Sequence, residues 1–235
     1  MKSKIIFVSL GPGDPELVTL KGFKTLQNSD VILCPSTISK DGREVSRSED
    51  IVVSIGIEIS KVRRFIVPMS RDREQTLKLY REVAELAVEI ASSGQSVAIT
   101  AEGDAGFYSS AQYINDYVEE LGVSTDRISG VPAFIDCARL AHTPLVSGDS
   151  SVEIMAYVDS AESLIQKIKE QKSIVLMKIS QREEIIKEAL RNTDSYNIYY
   201  IESCGVDSLE RIITDREEVL SRKFPYFAII IIKPC

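Results

Sequence analysis

Two carboxylates stand two residues apart, with one glycine between them, in Thr100-Ala101-Glu102-Gly103-Asp104-Ala105-Gly106. They follow a short apolar run and lead into a helix-period segment, which places Glu102 and Asp104 at a strand end. Carboxylates interleaved with glycines suit a cationic or polyhydroxyl ligand better than a phosphate. An acidic residue beside a helix start also favours the helix dipole, and the residues alone leave both readings open.

A second turn, Gly11-Pro12-Gly13-Asp14-Pro15, follows Ile5-Ile6-Phe7-Val8. It matches neither the dinucleotide fingerprint nor the phosphate loop, and Pro12 and Pro15 remove N–H donors that a phosphate cradle would use. A third turn, Gly130-Val131-Pro132-Ala133-Phe134, sets a proline at a helix start. By spacing alone these two are ordinary strand-to-helix connections. His142, the single histidine, reads as a helix-end or packing residue beside Thr143-Pro144. One histidine gives no basis for a His-rich metal site or a Ser–His triad. Cys34, Cys137, Cys204 and Cys235 show no C-x-x-C spacing, so no metal site is expected, and free thiols suit a reducing cytoplasm.

The elements that must position these turns alternate between short apolar runs and helix-period segments, the pattern of an α/β protein. In open α/β sheets the ligand crevice lies at the carboxyl ends of the strands, where all three turns fall. Leu17 to Gly22 opens an amphipathic helix, and Val31 to Cys34 is a strand closed by Pro35. Residues 36–61 are polar, with a short strand or helix around Ile51 to Ile59. Phe65 to Val67 is a strand, and Leu77, Tyr80, Ala84, Ala87 and Ala91 stripe a helix from Arg73 to Ser93. Ser96 to Thr100 and Arg127 to Ser129 are strands, with helices through Tyr117 and over Ala133 to Leu140.

Turn residues gather from His142 to Ser150. They suggest a boundary between an N-terminal domain, 1–145, and a C-terminal one, 146–235. Strands in the second half are expected at Val152–Tyr157, Ile174–Met177, Tyr196–Ile201, Arg211–Thr214 and Ala228–Ile232, with helices near Glu162–Glu170 and Glu183–Arg191.

The chain has 235 residues and a net charge of −7, ample for one large or two medium domains. The acidic balance argues against nonspecific nucleic-acid binding. No apolar run approaches the roughly 20 residues of a membrane span.

Taken together, GPGDPELVTLKG (11–22), EGDAGFYSSAQYI (102–114), GVPAF (130–134), SIVLMKIS (173–180), ESCG (202–205) and PYFAIIIIKP (225–234) resemble one family, the S-adenosylmethionine-dependent tetrapyrrole methylases. Each motif is weak alone; their order and spacing make the set specific. Tyr-Ser-Ser after the acidic turn, LVSGDSSVEIM (145–155) and the VLMK strand are most similar to the branch that methylates C-20 of precorrin-2 or cobalt-precorrin-2 in cobalamin synthesis. Branches acting at C-11 or C-17, diphthine synthase and a non-catalytic tetrapyrrole-binding homologue are the rivals.

The resemblance implies two α/β domains with a ligand cleft between them, a homodimer, S-adenosylmethionine as cofactor and a tetrapyrrole as substrate. Carried over residue by residue, Asp104 and Phe107 line the methionine end of the cofactor, and Gly103, Ser109 and Ser110 are further cofactor contacts. Pro132, Ala133, Met177, Lys178 and Gly205 frame the adenosine, and Pro12 marks the junction with the tetrapyrrole. Asp104 is the candidate catalytic group, orienting the reacting ring or assisting proton loss. A polycarboxylate substrate calls for cations, and Lys21, Lys40, Arg43, Arg47 and Arg64 are the candidates.

Two positions depart from the family's pattern. Ala105 stands where proline is usual, loosening the unfolded turn by about 0.4–1 kcal/mol. Ser9 stands where glycine is common, and its side chain is expected to narrow the approach of the tetrapyrrole.

Overall fold

A computed structural model describes residues 5–39, 41–68, 73–206 and 208–235. The chain divides into two compact units, Met1–Pro132 and Ala133–Cys235. The first unit runs β1 (Ile5–Ser9), α1 (Leu20–Asn28), β2 (Val31–Ile38), β3 (Glu44–Val45), α2 (Arg47–Ser54), β4 (Val62–Ile66), α3 (Arg73–Ser92), β5 (Val97–Ala101), α4 (Ala111–Glu120) and β6 (Thr125–Ile128).

Strands β2, β5, β1 and β6 lie side by side in that order, β4 pairs with the other side of β2, and all these pairs are parallel. Parallel neighbours need helical crossovers, which cover both faces and make the strands almost wholly apolar. Ile5, Phe7, Leu33, Val97 and Ile99 face α3 and α4, whereas Val8, Ile32, Cys34 and Ala98 belong to the core on the opposite face. That split follows from the two-residue period of a strand. The stripe expected on α3 is buried at Tyr80, Ala84, Ala87 and Ala91.

Two local expectations change. The first helix starts at Leu20 because Thr19 Oγ1 accepts the Gly22 N–H at 3.1 Å, while Pro15–Leu17 forms a separate 3-10 turn held by Asp14. The described residues of the polar segment from 36 to 61 form regular elements: β2 extends to Ile38, pairs antiparallel with β3, and Ser46 caps α2 by accepting the Glu49 N–H. Proline at 35 does not end β2. Its Cα is registered with Phe65 of the neighbouring strand.

The second unit runs α5 (Ala133–Leu140), β7 (Val152–Met155), α6 (Ala161–Lys169), β8 (Ser173–Leu176), α7 (Glu183–Arg191), β9 (Tyr196–Glu202), β10 (Arg211–Ile213), α8 (Arg216–Ser221) and β11 (Ala228–Pro234). Its sheet has the order β10-β9-β11-β8-β7, antiparallel except for β7 beside β8. The units divide ahead of the 145/146 boundary expected from the turn-rich stretch, because α5 packs against β11. Leu164, Ile174, Leu176, Tyr200 and Ile230 centre its core. No helix among the described residues is long and apolar enough to cross a membrane.

Candidate active site

The register of the first sheet brings the carboxyl ends of β1, β5 and β6 level: Ser9 pairs with Ala101, and Val8 with Ile128. All three glycine turns leave the sheet there. Leu10 N–H donates to Ala101 O at 2.9 Å, Gly11 N–H to Gly103 O at 3.1 Å, and Gly103 N–H back to Gly11 O at 2.6 Å. Gly11 and Gly103 have φ of +79° and +68°, a left-handed backbone that glycine adopts without a Cβ penalty.

Asp104 ties the second turn to the third. Its Oδ1 accepts the Gly106 N–H and its Oδ2 the Gly130 N–H, each at 2.8 Å. Hydrogen bonds to a charged acceptor contribute about 1.5–3 kcal/mol each. Gly130 is packed so closely that a Cβ there would meet Ser9 Cβ at 2.6 Å and Gly103 O at 2.9 Å. Both carboxylate oxygens thus hold backbone, and on this geometry Asp104 is first a positioning residue. Ser9 Oγ accepts the Ala105 N–H at 2.8 Å. Since Ser9 is wholly buried, its side chain braces the acidic turn from beneath, and the expected narrowing of a ligand's approach by Ser9 is not observed.

Glu102, at the end of β5, differs from Asp104. Among the described residues no hydrogen bond reaches its carboxylate, and Arg47 Nε lies 3.9 Å away. Burial raises its pKa above the ordinary carboxylate value, with Arg47 opposing and Asp50 adding to the rise. Arg47, at the start of α2, also donates through Nη2 to Pro12 O at 3.4 Å. Among the described residues it is the candidate cation that the fold brings to this rim.

The other cations lie differently. Arg43 pairs with Asp41. Arg64 grips Glu49 through two nitrogens, which raises its pKa and lowers that of Glu49. Lys21 lines a groove with Ile6, Lys24, Thr25, Asn28 and Ser96. Lys40 is outside the described residues.

Phe107 packs edge-on against Tyr108 with ring centroids 4.9 Å apart, and Tyr108 takes φ +49°. A tyrosine in the left-handed region marks strain, which gathers at functional sites. Ser109 Oγ accepts the Ala111 N–H at 3.2 Å, and Ser110 occupies the N-cap of α4 without a side-chain cap bond. Pro132 closes the first unit, directly after the Gly130 turn.

In the second unit Ala133 opens α5, and Met177 follows β8, its N–H donating to Met155 O at 2.8 Å. Lys178 takes φ +53°, and burial lowers its pKa. Gly205 has φ +79°, its N–H held by Glu210 Oε1 at 2.7 Å. Beside it, candidate ligand atoms of Asp136, Cys204 and Glu210 lie within 4.8 Å of one another. Cys204 Sγ donates to Asp136 Oδ2 at 3.2 Å, and Arg139 pairs with the same carboxylate. Neither this cluster nor the Ser9 and Arg47 contacts has a signal in linear spacing.

Residues 4–220 match the Tetrapyrrole (Corrin/Porphyrin) Methylases. The chain belongs to this family. Among curated relatives it is 26% identical over 231 residues, 98% of this chain and 96% of the relative, to a probable cobalt-precorrin-2 C(20)-methyltransferase of Methanocaldococcus jannaschii. Among solved structures it is similar to a cobalt precorrin-4 methyltransferase, a cobalamin biosynthetic enzyme, with TM-score 0.71 and 19% identity over 98% of this chain and 94% of the other. It is also similar to uroporphyrin-III C-methyl transferase from Thermus thermophilus, complexed with S-adenosyl homocysteine, with TM-score 0.65 and 18% identity over 98% and 97% of the two chains. These two likenesses establish that this tetrapyrrole methylase has the family's two-sheet α/β fold.

Proposed function

We propose that this tetrapyrrole methylase transfers a methyl group from S-adenosylmethionine to C-20 of precorrin-2 or cobalt-precorrin-2. The observation that carries the regiochemistry is the nearly full-length match to a relative bearing that name. The site's chemistry supports the cofactor: the strand-end rim carries carboxylates and carbonyls, and the amides of Ala105, Gly106 and Gly130 are used within the protein. Such a rim suits a ligand with sulfonium and ammonium charges and does not suit a phosphate. Proposed cofactor contacts are Pro12, Gly103, Asp104, Phe107, Ser109, Ser110 and Pro132 in the first unit, and Ala133, Met177, Lys178 and Gly205 in the second.

S-adenosylmethionine supplies an already activated methyl electrophile, and a reduced tetrapyrrole supplies nucleophilic enamine-like carbons. The protein's part is mainly positioning, which contributes up to roughly 7–11 kcal/mol in favourable cases. Asp104 holds the acidic and Gly130 turns in fixed relation, the bridge between Gly11 and Gly103 fixes the opening turn, and Arg47 offers a cation for a substrate carboxylate.

Incubating the purified protein with S-adenosylmethionine and precorrin-2, with and without cobalt, tests this reading. The product is expected to carry one new methyl at C-20 by mass and NMR. Methylation at another carbon would remove the C-20 assignment and leave family membership intact. The homodimer is proposed from the same resemblance, and light scattering of the purified protein should give twice the chain mass.

A further inference from the structure

We propose that Glu102 is the base that removes the C-20 proton after methyl transfer. This rests on the reading under "Proposed function". In a C-methylation at a meso carbon, the new C–C bond takes its electron pair from the macrocycle. The breaking C–S bond leaves its pair on sulfur, which becomes a neutral thioether. The macrocycle is left with one more positive charge, delocalised over its conjugated ring nitrogens, while the methylated carbon, now saturated, still bears hydrogen. Its conjugation returns only when that hydrogen leaves as a proton and the C–H pair re-enters the ring. The Glu102 carboxylate accepts this proton and passes it to water.

Of the two carboxylates on the acidic turn, only Glu102 has its lone pairs uncommitted. Both oxygens of Asp104 accept backbone N–H groups at 2.8 Å. No hydrogen bond reaches Glu102 among the described residues, and 30% of its side chain stays accessible. A partly enclosed carboxylate without hydrogen bonds gives up solvation that most buried acids recover, and that arrangement persists where the group has work to do. Arg47, 3.9 Å away and fixed on Pro12 O, favours the ionised form. The other charged group acting on Glu102 is Asp50 of α2, which opposes ionisation. With burial, it makes Glu102 a stronger base than a solvated glutamate.

The test compares wild type with Glu102→Gln on precorrin-2. The variant is expected to lose about 10²–10⁴-fold in kcat, with KM and S-adenosylhomocysteine binding unchanged. Wild-type kcat should fall on the acid side as Glu102 protonates, and that limb should vanish in the variant. Substrate deuterated at C-20 should show a larger isotope effect in the variant, where deprotonation limits the rate. A readout apart from activity is thermal unfolding. A carboxyl whose pKa is raised by folding destabilises the fold once pH exceeds the ordinary carboxylate value, so Glu102→Gln should melt higher than wild type at neutral pH, the difference closing in acid.

Wild-type kcat and an unchanged pH profile in Glu102→Gln overturn the proposal while leaving the methylase reading in place. A wild type that does not methylate C-20 overturns that reading and, with it, this one. If Glu102→Gln does not fold, Glu102→Asp keeps the carboxylate on a shorter arm. It should retain the acid limb with reduced kcat, and full kcat with no acid limb would overturn the assignment.

Discussion

The Ser9 hydroxyl accepts the Ala105 N–H at 2.8 Å, with both residues wholly buried. They are also the two positions where the resemblance implies another residue, glycine at 9 and proline at 105. A proline at 105 would have no N–H to donate, and a glycine at 9 no hydroxyl to receive one. The two departures are one structural unit: the donor that appears with alanine is met by the acceptor that appears with serine.

Ser9→Ala should therefore leave a buried amide without a partner and destabilise the protein by about 1–3 kcal/mol. Ala105→Pro alone should also destabilise, since the proline ring replaces the N–H and points at the serine hydroxyl. The double variant Ser9→Gly, Ala105→Pro should be less destabilised than the sum of the single changes, with a coupling of about 0.5–3 kcal/mol. Urea unfolding of the four proteins measures it, and strict additivity would separate the two positions.

Asp104→Asn replaces one acceptor oxygen with a donor that faces the N–H of Gly106 or Gly130. It should destabilise the fold by about 1–3 kcal/mol and weaken S-adenosylhomocysteine binding measured by calorimetry. Full turnover with unchanged cofactor binding would take Asp104 out of the site.

Glu49 has its pKa lowered chiefly by the hydrogen bonds from Arg64. A carboxyl depressed by folding contributes stability above its unfolded pKa and loses it as pH falls through the folded value. Glu49→Gln should lower stability at neutral pH by about 0.2–1 kcal/mol, because the half-exposed Arg64 is screened by solvent. Melting temperatures of the two proteins should converge in acid. A gap that is independent of pH would assign the loss to packing.

Thiol reactivity should separate the four cysteines. Burial pushes Cys34 up to about 12, and a hydrogen bond with Cys137, burial and the Asp136 carboxylate all raise Cys204. Cys34, Cys137 and Cys204 are buried, and only Cys235 is exposed. Since the thiolate is the reactive form, iodoacetamide should label Cys235 in the native protein and the others after unfolding, as peptide mass mapping would show.

The sequence by itself determined the α/β class, most helices and strands, and the position of all three turns at strand ends. Apolar periodicity and glycine or proline punctuation are local consequences of backbone sterics, so Arg73–Ser92, Val97–Ala101 and Ala133–Leu140 are legible along the chain. Short elements such as α8 and β3, and the true start of α1 at Leu20, depended on capping and pairing that periodicity does not record. Tertiary structure alone decided the chemistry of the acidic turn. Glu102 and Asp104 look equivalent in sequence, two residues apart with the same charge. Register places Gly130 against Asp104 and α2 places Arg47 beside Glu102, so one carboxylate is bound to backbone while the other has a cation beside it and, among the described residues, no hydrogen bond. Those neighbours come from strands and helices distant in sequence, and only the folded sheet brings them within reach.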